Sequence, residues 1–290
     1  MKESSPHEPC VVALGNFDGV HAGHAALIGE GKRRAEEAGL SLLALTFLPE
    51  SLPHPPALLT GKEERETLLR AAGADEVVFL PFGEVCTMSP EVFVREVLIA
   101  RYDAKIAVSG FNYRFGYRAA GDTDTLCRLM REAGRDAVVT DAVLYRGEPV
   151  SSSRIREALA DGDVDGAAAM LRRPVSWSLP VLHGKALGRT LGFPTINQVP
   201  PAGHAIPRHG VWRAEVEIDG KIFPALTNIG VRPTVDHDGR IDYETWIKGY
   251  RGDLYGRVLT VTLKGFLRDE RRFSSEEELK KQIEVDKNTI

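Results

Sequence analysis

The 290-residue sequence predicts an α/β domain built on a parallel sheet, followed by a small antiparallel β-barrel with a C-terminal helix. Three observations predict it. Residues 10 to 140 alternate short apolar runs with helical patterns, the order of parallel strands joined by crossover helices. From residue 175 the runs become β-rich and turns become frequent, the pattern of a small barrel. Between these regions Pro174 ends a helical segment after Arg172-Arg173, so the domains are expected at 1–174 and 175–290.

In the first region, strands are expected at 11–14, 42–47, 76–80, 105–108 and 137–140. Helices are expected at 25–38, 62–72, 90–101 and 123–133, and Gly39, Gly73 and Gly134 stand where a helix C-terminus favours glycine. Ligands of such sheets bind beyond the carboxyl ends of the strands. The loop in that place after the first strand is GNFDGVHAGH (15–24). Its glycines let backbone N–H groups approach an anion, and His21 and His24 share one face of the opening helical turn. This suits holding a triphosphate and stabilising charge as a phosphoryl bond breaks. Two more loops leave strands at the same edge: Thr46-Phe47-Leu48-Pro49, running into a proline-rich segment around His54, and SGFNYRFG (109–116). VSSSRIR (150–156) opens a helix with Ser152, Ser153 and Arg156, a second anion site at a helix N-terminus. A further helix is expected at 164–171.

In the second region, Asp219-Gly220 between 211–218 and 221–226 is a two-residue hairpin signal. Strands follow at 241–247 and 257–266, and a charged helix capped by Ser274 or Ser275 runs to about 285. The informative stretch is HGKALGRTLGFPTIN (183–197). Gly184 and Gly188 permit close backbone approach, and in an extended strand Thr195 and Asn197 share a face opposite to Ile196. Two neutral oxygen donors side by side suit Mg²⁺, which prefers few protein ligands plus phosphate and water. Glu244, in an otherwise apolar strand, is the candidate carboxylate base.

Composition narrows the function. Apolar residues make up 43% and charged residues 27%, a soluble globular profile. The net charge of −4 gives no basic field for nucleic acid. Cys10, Cys86 and Cys127 show no metal or disulfide spacing and fit a reducing cytoplasm. There is no signal-peptide pattern and no run long enough to span a membrane, so a cytoplasmic protein without a membrane partner is expected. The oligomeric state is not specified by these patterns.

These motifs, with HGVW (209–212), NIGVRPT (228–234), YRGDLYG (250–256) and LRDERRF (267–273), resemble the bacterial bifunctional riboflavin kinase/FAD synthetase (FMN adenylyltransferase) family over nearly the whole chain. The resemblance implies a nucleotidyltransferase-like α/β domain and a riboflavin kinase-like barrel. It implies two reactions: ATP phosphorylates riboflavin to FMN, and a second ATP adenylylates FMN to FAD, releasing pyrophosphate. Mg²⁺ is the implied metal; ATP is co-substrate and flavins are substrate and product. His21 and His24 match phosphate-binding histidines, within a nucleotide-binding loop that includes Gly15, Phe17, Asp18 and Gly23. Asn112, Ser152, Ser153 and Arg156 match further nucleotide-binding positions. Gly184 and Gly188 belong to the kinase nucleotide loop, Thr195 and Asn197 match Mg²⁺ and phosphate ligands, and Glu244 matches the base. The chain departs from the pattern at Leu187, Ile196 and Lys248-Gly249. The alternative reading is an FMN adenylyltransferase alone, with the barrel as a flavin-binding or regulatory module.

Overall fold

Strand β1 (Cys10–Leu14) is apolar throughout and buried along its whole length. Cys10, Val12 and Leu14 enter one apolar layer, and Val11 and Ala13 enter the other. A strand buried on both faces belongs in the middle of a covered parallel sheet. The computed structural model, which describes residues 7–183, 193–231, 241–271 and 273–290, places it there. With β2 (Ser41–Phe47), β3 (Glu76–Leu80), β4 (Ala104–Gly110) and β5 (Asp136–Thr140) it forms a parallel sheet of order β3-β2-β1-β4-β5. Helices α1 (Ala22–Ala38) and α2 (Lys62–Ala71) cover one face through Leu27, Ile28 and Leu69. After the short turn α3 (Phe82–Val85), α4 (Pro90–Val92) continues as a π-helix over Phe93–Arg101. This helix and α5 (Thr123–Glu132) cover the other face through Phe93, Leu98, Leu126 and Met130. The chain order reverses between β1 and β4, which opens a crevice beyond their carboxyl ends.

Two local features differ from expectation. Helix α1 begins at Ala22 rather than Ala25 because the His21 side chain caps it. A small hairpin, β6 (Leu144–Tyr145) and β7 (Glu148–Pro149), turns through Arg146 and Gly147 at φ of 52° and 82°. The chain divides into compact units Met1–Ser152 and Ser153–Ile290, and the second opens with the rest of α6 (Ser152–Asp161) and with α7 (Val164–Leu171).

The second unit is a six-stranded antiparallel sheet curled into a half-barrel. Its strands are β8 (Ser176–Pro180), β9 (Thr195–Gln198), β10 (Gly210–Ile218), β11 (Lys221–Val231), β12 (Ile241–Ile247) and β13 (Val258–Arg268). The order is β8-β13-β10-β11-β12-β9. Asp219 and Gly220 take φ of 49° and 73°, the left-handed pair that a two-residue hairpin of matching twist requires. Trp212, Val216, Ala225 and Val261 fill the interior. The edge strands meet where Leu182 N–H donates to the Asn197 carbonyl at 2.8 Å. Helix α8 (Glu276–Lys287) starts at Ser275, whose Oγ accepts from Glu278 N–H at 3.2 Å, while the Glu278 carboxylate accepts from Ser274 N–H at 2.9 Å.

Candidate active sites

The loop after β1 holds unusual backbone. Phe17, Gly19 and Val20 have φ of 50°, 81° and 37°. A non-glycine residue there costs on the order of 1–3 kcal/mol, so neighbours must over-determine the conformation. They do so through a buried network. The Asp18 carboxylate accepts from Arg65 Nη2 at 2.9 Å, Leu59 N–H at 3.0 Å and Thr60 N–H at 3.1 Å. Arg65 Nη1 donates to the Asn16 carbonyl at 3.0 Å, and Gly19 N–H donates to Thr60 Oγ1 at 3.0 Å. Ser152 Oγ donates to the Asp18 carbonyl at 2.8 Å. Arg65 is 1% exposed and Asp18 6%. Replacing Arg65 by Met should therefore strand a buried carboxylate and cost about 3–5 kcal/mol. Denaturant unfolding of the full chain measures this, and Asp18→Asn in the same molecule should recover part of the loss.

The locked loop delivers His21 as the cap of α1. Its Nδ1 accepts from the N–H groups of Gly23 at 3.2 Å and His24 at 3.3 Å. The neutral ring therefore carries its proton on Nε2 and can donate from there. The His24 ring stacks on it, with centroids 3.6 Å apart and planes 17° apart. Burial, then the positive charge of Arg65, push the His24 imidazole well below its usual pKa, so His24 is neutral. Its Nδ1 is buried and has no hydrogen-bond partner among the described residues. The buried Phe17 ring meets His24 edge-on at 5.2 Å, and Gly15 makes room for that ring, since a Cβ would lie 2.9 Å from it.

A cavity of about 400 Å³ opens at this crevice, with Gly15, Asn16, His24, Thr46, Gly110 and Asn112 in its wall. The structure thus brings Gly15, His24 and Asn112 together, with His21 stacked behind His24. Phe17 and Asp18 face inward and shape the loop. Gly23 is close to the His21 ring, 3.1 Å from the position of a Cβ. Ser152 ties into the loop, whereas Ser153 and Arg156 lie in the first turns of α6 within the second unit.

The second site lies on β9. Thr195 and Asn197 share one side, and Ile196 and Gln198 are buried on the other. The register sets Asn197 directly opposite Glu244 and Glu244 directly opposite Asn228. Opposed residues of an antiparallel pair project to one face with Cβ atoms about 4.5–5.5 Å apart. Asn228 Nδ2 donates to Glu270 Oε1 at 3.1 Å, extending the row. A cavity of about 390 Å³ borders it, lined by Thr195, Asn197, Thr245, Tyr250, Arg251 and Tyr255. His183 stacks on Tyr255 at 3.9 Å. Exposed Glu244 stands next to this cavity rather than in its wall. Lys287 of α8 sits over the rings of Phe193 and Trp246, at 4.8 and 5.1 Å. Gly184, Gly188 and Leu187 lie outside the described residues.

The donor set decides what metal the second site could take. Among the described residues, no group of three His, Cys, Asp or Glu side chains could hold an ion. A hydroxyl and an amide on one strand face fit a cation that keeps water and phosphate oxygens as its other ligands. Sequence reasoning assigned no role to Arg65, Asn228 or Glu270. The last two lie inside quoted motifs, NIGVRPT and LRDERRF, where a role could have been sought. Arg65 sits in Lys62-Glu63-Glu64-Arg65-Glu66, which reads as an exposed helix face.

Comparisons with known proteins agree along the chain. The FAD synthetase family model matches residues 3–154, and the riboflavin kinase family model matches 171–290. A bifunctional riboflavin kinase/FMN adenylyltransferase from Pseudomonas fluorescens is 37% identical, over 97% of this chain and 91% of that protein. One of the same description from Bacillus subtilis is 32% identical, over 96% and 90%. The crystal structure of a protein described as a macrolide-efflux protein from Streptococcus pneumoniae superposes with a TM-score of 0.86. It is 30% identical, over 98% of this chain and 94% of that one. Among the described residues, no helix is long and apolar enough to cross a membrane.

Proposed function

Because the chain belongs to the bifunctional riboflavin kinase/FMN adenylyltransferase family, we propose a division of labour among its residues for the two reactions. The chain is an enzyme that makes FMN from riboflavin and ATP, and FAD from FMN and ATP. The proposal assigns phosphorylation to the row Asn197–Glu244–Asn228 with Thr195, and adenylylation to the crevice around His21, His24 and Asn112. The functional boundary is placed at 174/175; the compact units part at 152/153 and the family models leave 155–170 between them.

The observation that carries the assignment is the pairing of Glu244 with Asn197. The 5′-hydroxyl of riboflavin is neutral and gains from a base as it attacks the γ-phosphorus. Glu244 accepts that proton, one strand away from the donors that hold the phosphates. Thr195 and Asn197 are the residues that would hold Mg²⁺, which neutralises phosphate charge when bound. The phosphate of FMN, in contrast, is already an anionic nucleophile, so adenylylation needs donors and no strong base. The His24 ring, in the cavity wall with His21 stacked against it, supplies one such donor where negative charge grows on the triphosphate, and the positive end of α1 lies beside it. Asp18, Arg65, Phe17 and Ser152 hold the loop in shape, while Ser153 and Arg156 are assigned to anion binding on the resemblance alone. The net charge of −4 supports a reading without nucleic acid, and the sparse cysteines support a cytoplasmic setting.

Incubating the protein with riboflavin, ATP and Mg²⁺ and separating the flavins by chromatography tests this reading. FMN should form first and FAD after it, and chelating the divalent cation should stop FMN formation. If FAD forms from supplied FMN while riboflavin is never phosphorylated, the kinase assignment fails and the adenylyltransferase-only reading replaces it.

A further inference from the structure

The four-residue strand β9 carries both Thr195 and Asn197, and among the described residues its one ladder is with β12. So short an edge strand has few rungs to fix its register. A slip of one residue would turn Thr195 and Asn197 to the interior.

On the other flank a single bridge, Leu182 N–H to the Asn197 carbonyl, adds to the ladder, and the residue after Asn197 supplies a side-chain constraint. Gln198 is fully buried, and its amide is used at both ends. Trp177 Nε1–H donates to Gln198 Oε1 at 2.9 Å, and Gln198 Nε2 donates to the carbonyls of Leu179 at 2.7 Å and Leu259 at 3.0 Å. Leu179 and Leu259 are directly opposed residues of β8 and β13. One side chain therefore pins β9 to two strands with which it shares no ladder, across the seam of the half-barrel. Gln198 is itself opposite Tyr243, whose ring packs on Trp177 at 4.4 Å between centroids.

Gln198–Tyr243 and Asn197–Glu244 are consecutive rungs of the same ladder. Successive side chains of a strand alternate faces. The rung that points in is thus fixed by the seam, and the rung that points out carries the candidate base and ligand. We propose that Gln198 is a positioning residue for riboflavin phosphorylation: its amide sets the depth and register of β9 and so the placement of Thr195 and Asn197 against Glu244. The proposal rests on the reading of those three residues as the phosphoryl-transfer site.

The test uses the full chain with Gln198→Met, which keeps the length of the side chain and removes its three hydrogen bonds. The kcat of riboflavin phosphorylation, per folded molecule, should fall roughly ten- to a hundredfold, the scale on which a displaced group slows a reaction. The KM for riboflavin should stay nearly constant, and FMN adenylylation by the same molecules should be unchanged. A folded Gln198→Met protein with the wild-type kinase kcat overturns the proposal, as does a rise in KM at constant kcat. Trp177→Phe keeps an aromatic ring and the two carbonyl bonds, and serves if the first variant does not fold. It should lower kcat severalfold, and an unchanged kcat there overturns the proposal equally. Glu244→Gln, measured alongside, separates the two levels. If it leaves phosphorylation intact, the site reading itself fails; if it abolishes phosphorylation while Gln198→Met does not slow it, only the positioning role fails.

Discussion

Glu244→Gln should slow riboflavin phosphorylation by about two to four orders of magnitude, the contribution of a positioned general base. The substitution preserves shape and hydrogen-bonding reach and removes the capacity to accept a proton. Since Glu244 is exposed on the outer face of β12, the half-barrel should fold as before. The KM for riboflavin should change little, because the proton is transferred only as the bond forms. FMN adenylylation should continue at its normal rate, since the crevice proposed for it lies within the first unit and has no carboxylate among the residues lining its cavity. Following both products from one reaction by chromatography gives the comparison directly. A loss smaller than tenfold would remove Glu244 from the base role, and a joint loss of both activities would break the two-site assignment.

His24→Ala should give the reverse pattern. FAD formation from FMN should fall about a hundred- to a thousandfold, the cost of deleting one preorganised donor to developing charge, while FMN formation stays unchanged. The neutral state of His24 adds a pH signature. Its folded-state pKa lies below the unfolded value, so above about pH 6.5 the ring is neutral in both states and burying it carries no ionisation penalty. As pH falls below that value the unfolded chain takes up the proton first, and stability is lost. Denaturation midpoints should therefore drop on acidification from pH 7 to 5.5, and His24→Ala should flatten that drop. An equal slope in the variant would assign the acid sensitivity to other groups.

Much of the architecture was legible because it follows from local rules. The wholly apolar run at β1, the alternating apolar runs and helices, and Asp219-Gly220 each announced an element that the fold contains. The start of α1 was misjudged because histidine is not an ordinary cap; here its Nδ1 acts as the acceptor. The π-helical stretch Phe93–Arg101 reads in sequence as an ordinary helix, because the apolar pattern does not distinguish the two hydrogen-bond registers. The candidate site residues divide in the same way. His21, His24, Thr195 and Asn197 are marked by spacing along the chain. Arg65 and Gln198 act through partners 47 and 61 residues away, and no local pattern encodes contacts at that range. Asp18 shows the converse, being conspicuous in the loop motif yet turned away from the cavity toward Arg65.

The brevity of β9 also has a kinetic side. Amide exchange proceeds through local openings whose free energies range from near zero to that of global unfolding, and short edge segments open most easily. β10 and β11 are each paired on both flanks, whereas β9 has one ladder of four residues. Held by that ladder, the Leu182 N–H bond and the Gln198 amide rather than by ladders on both flanks, the segment that binds phosphate in the kinase assignment should open before the β10–β11 hairpin. Nucleotide that binds only the closed strand shifts that opening equilibrium by mass action. Phosphorylation capacity would then vanish at denaturant concentrations that leave the β10–β11 hairpin protected, and ATP with its cation would postpone the loss.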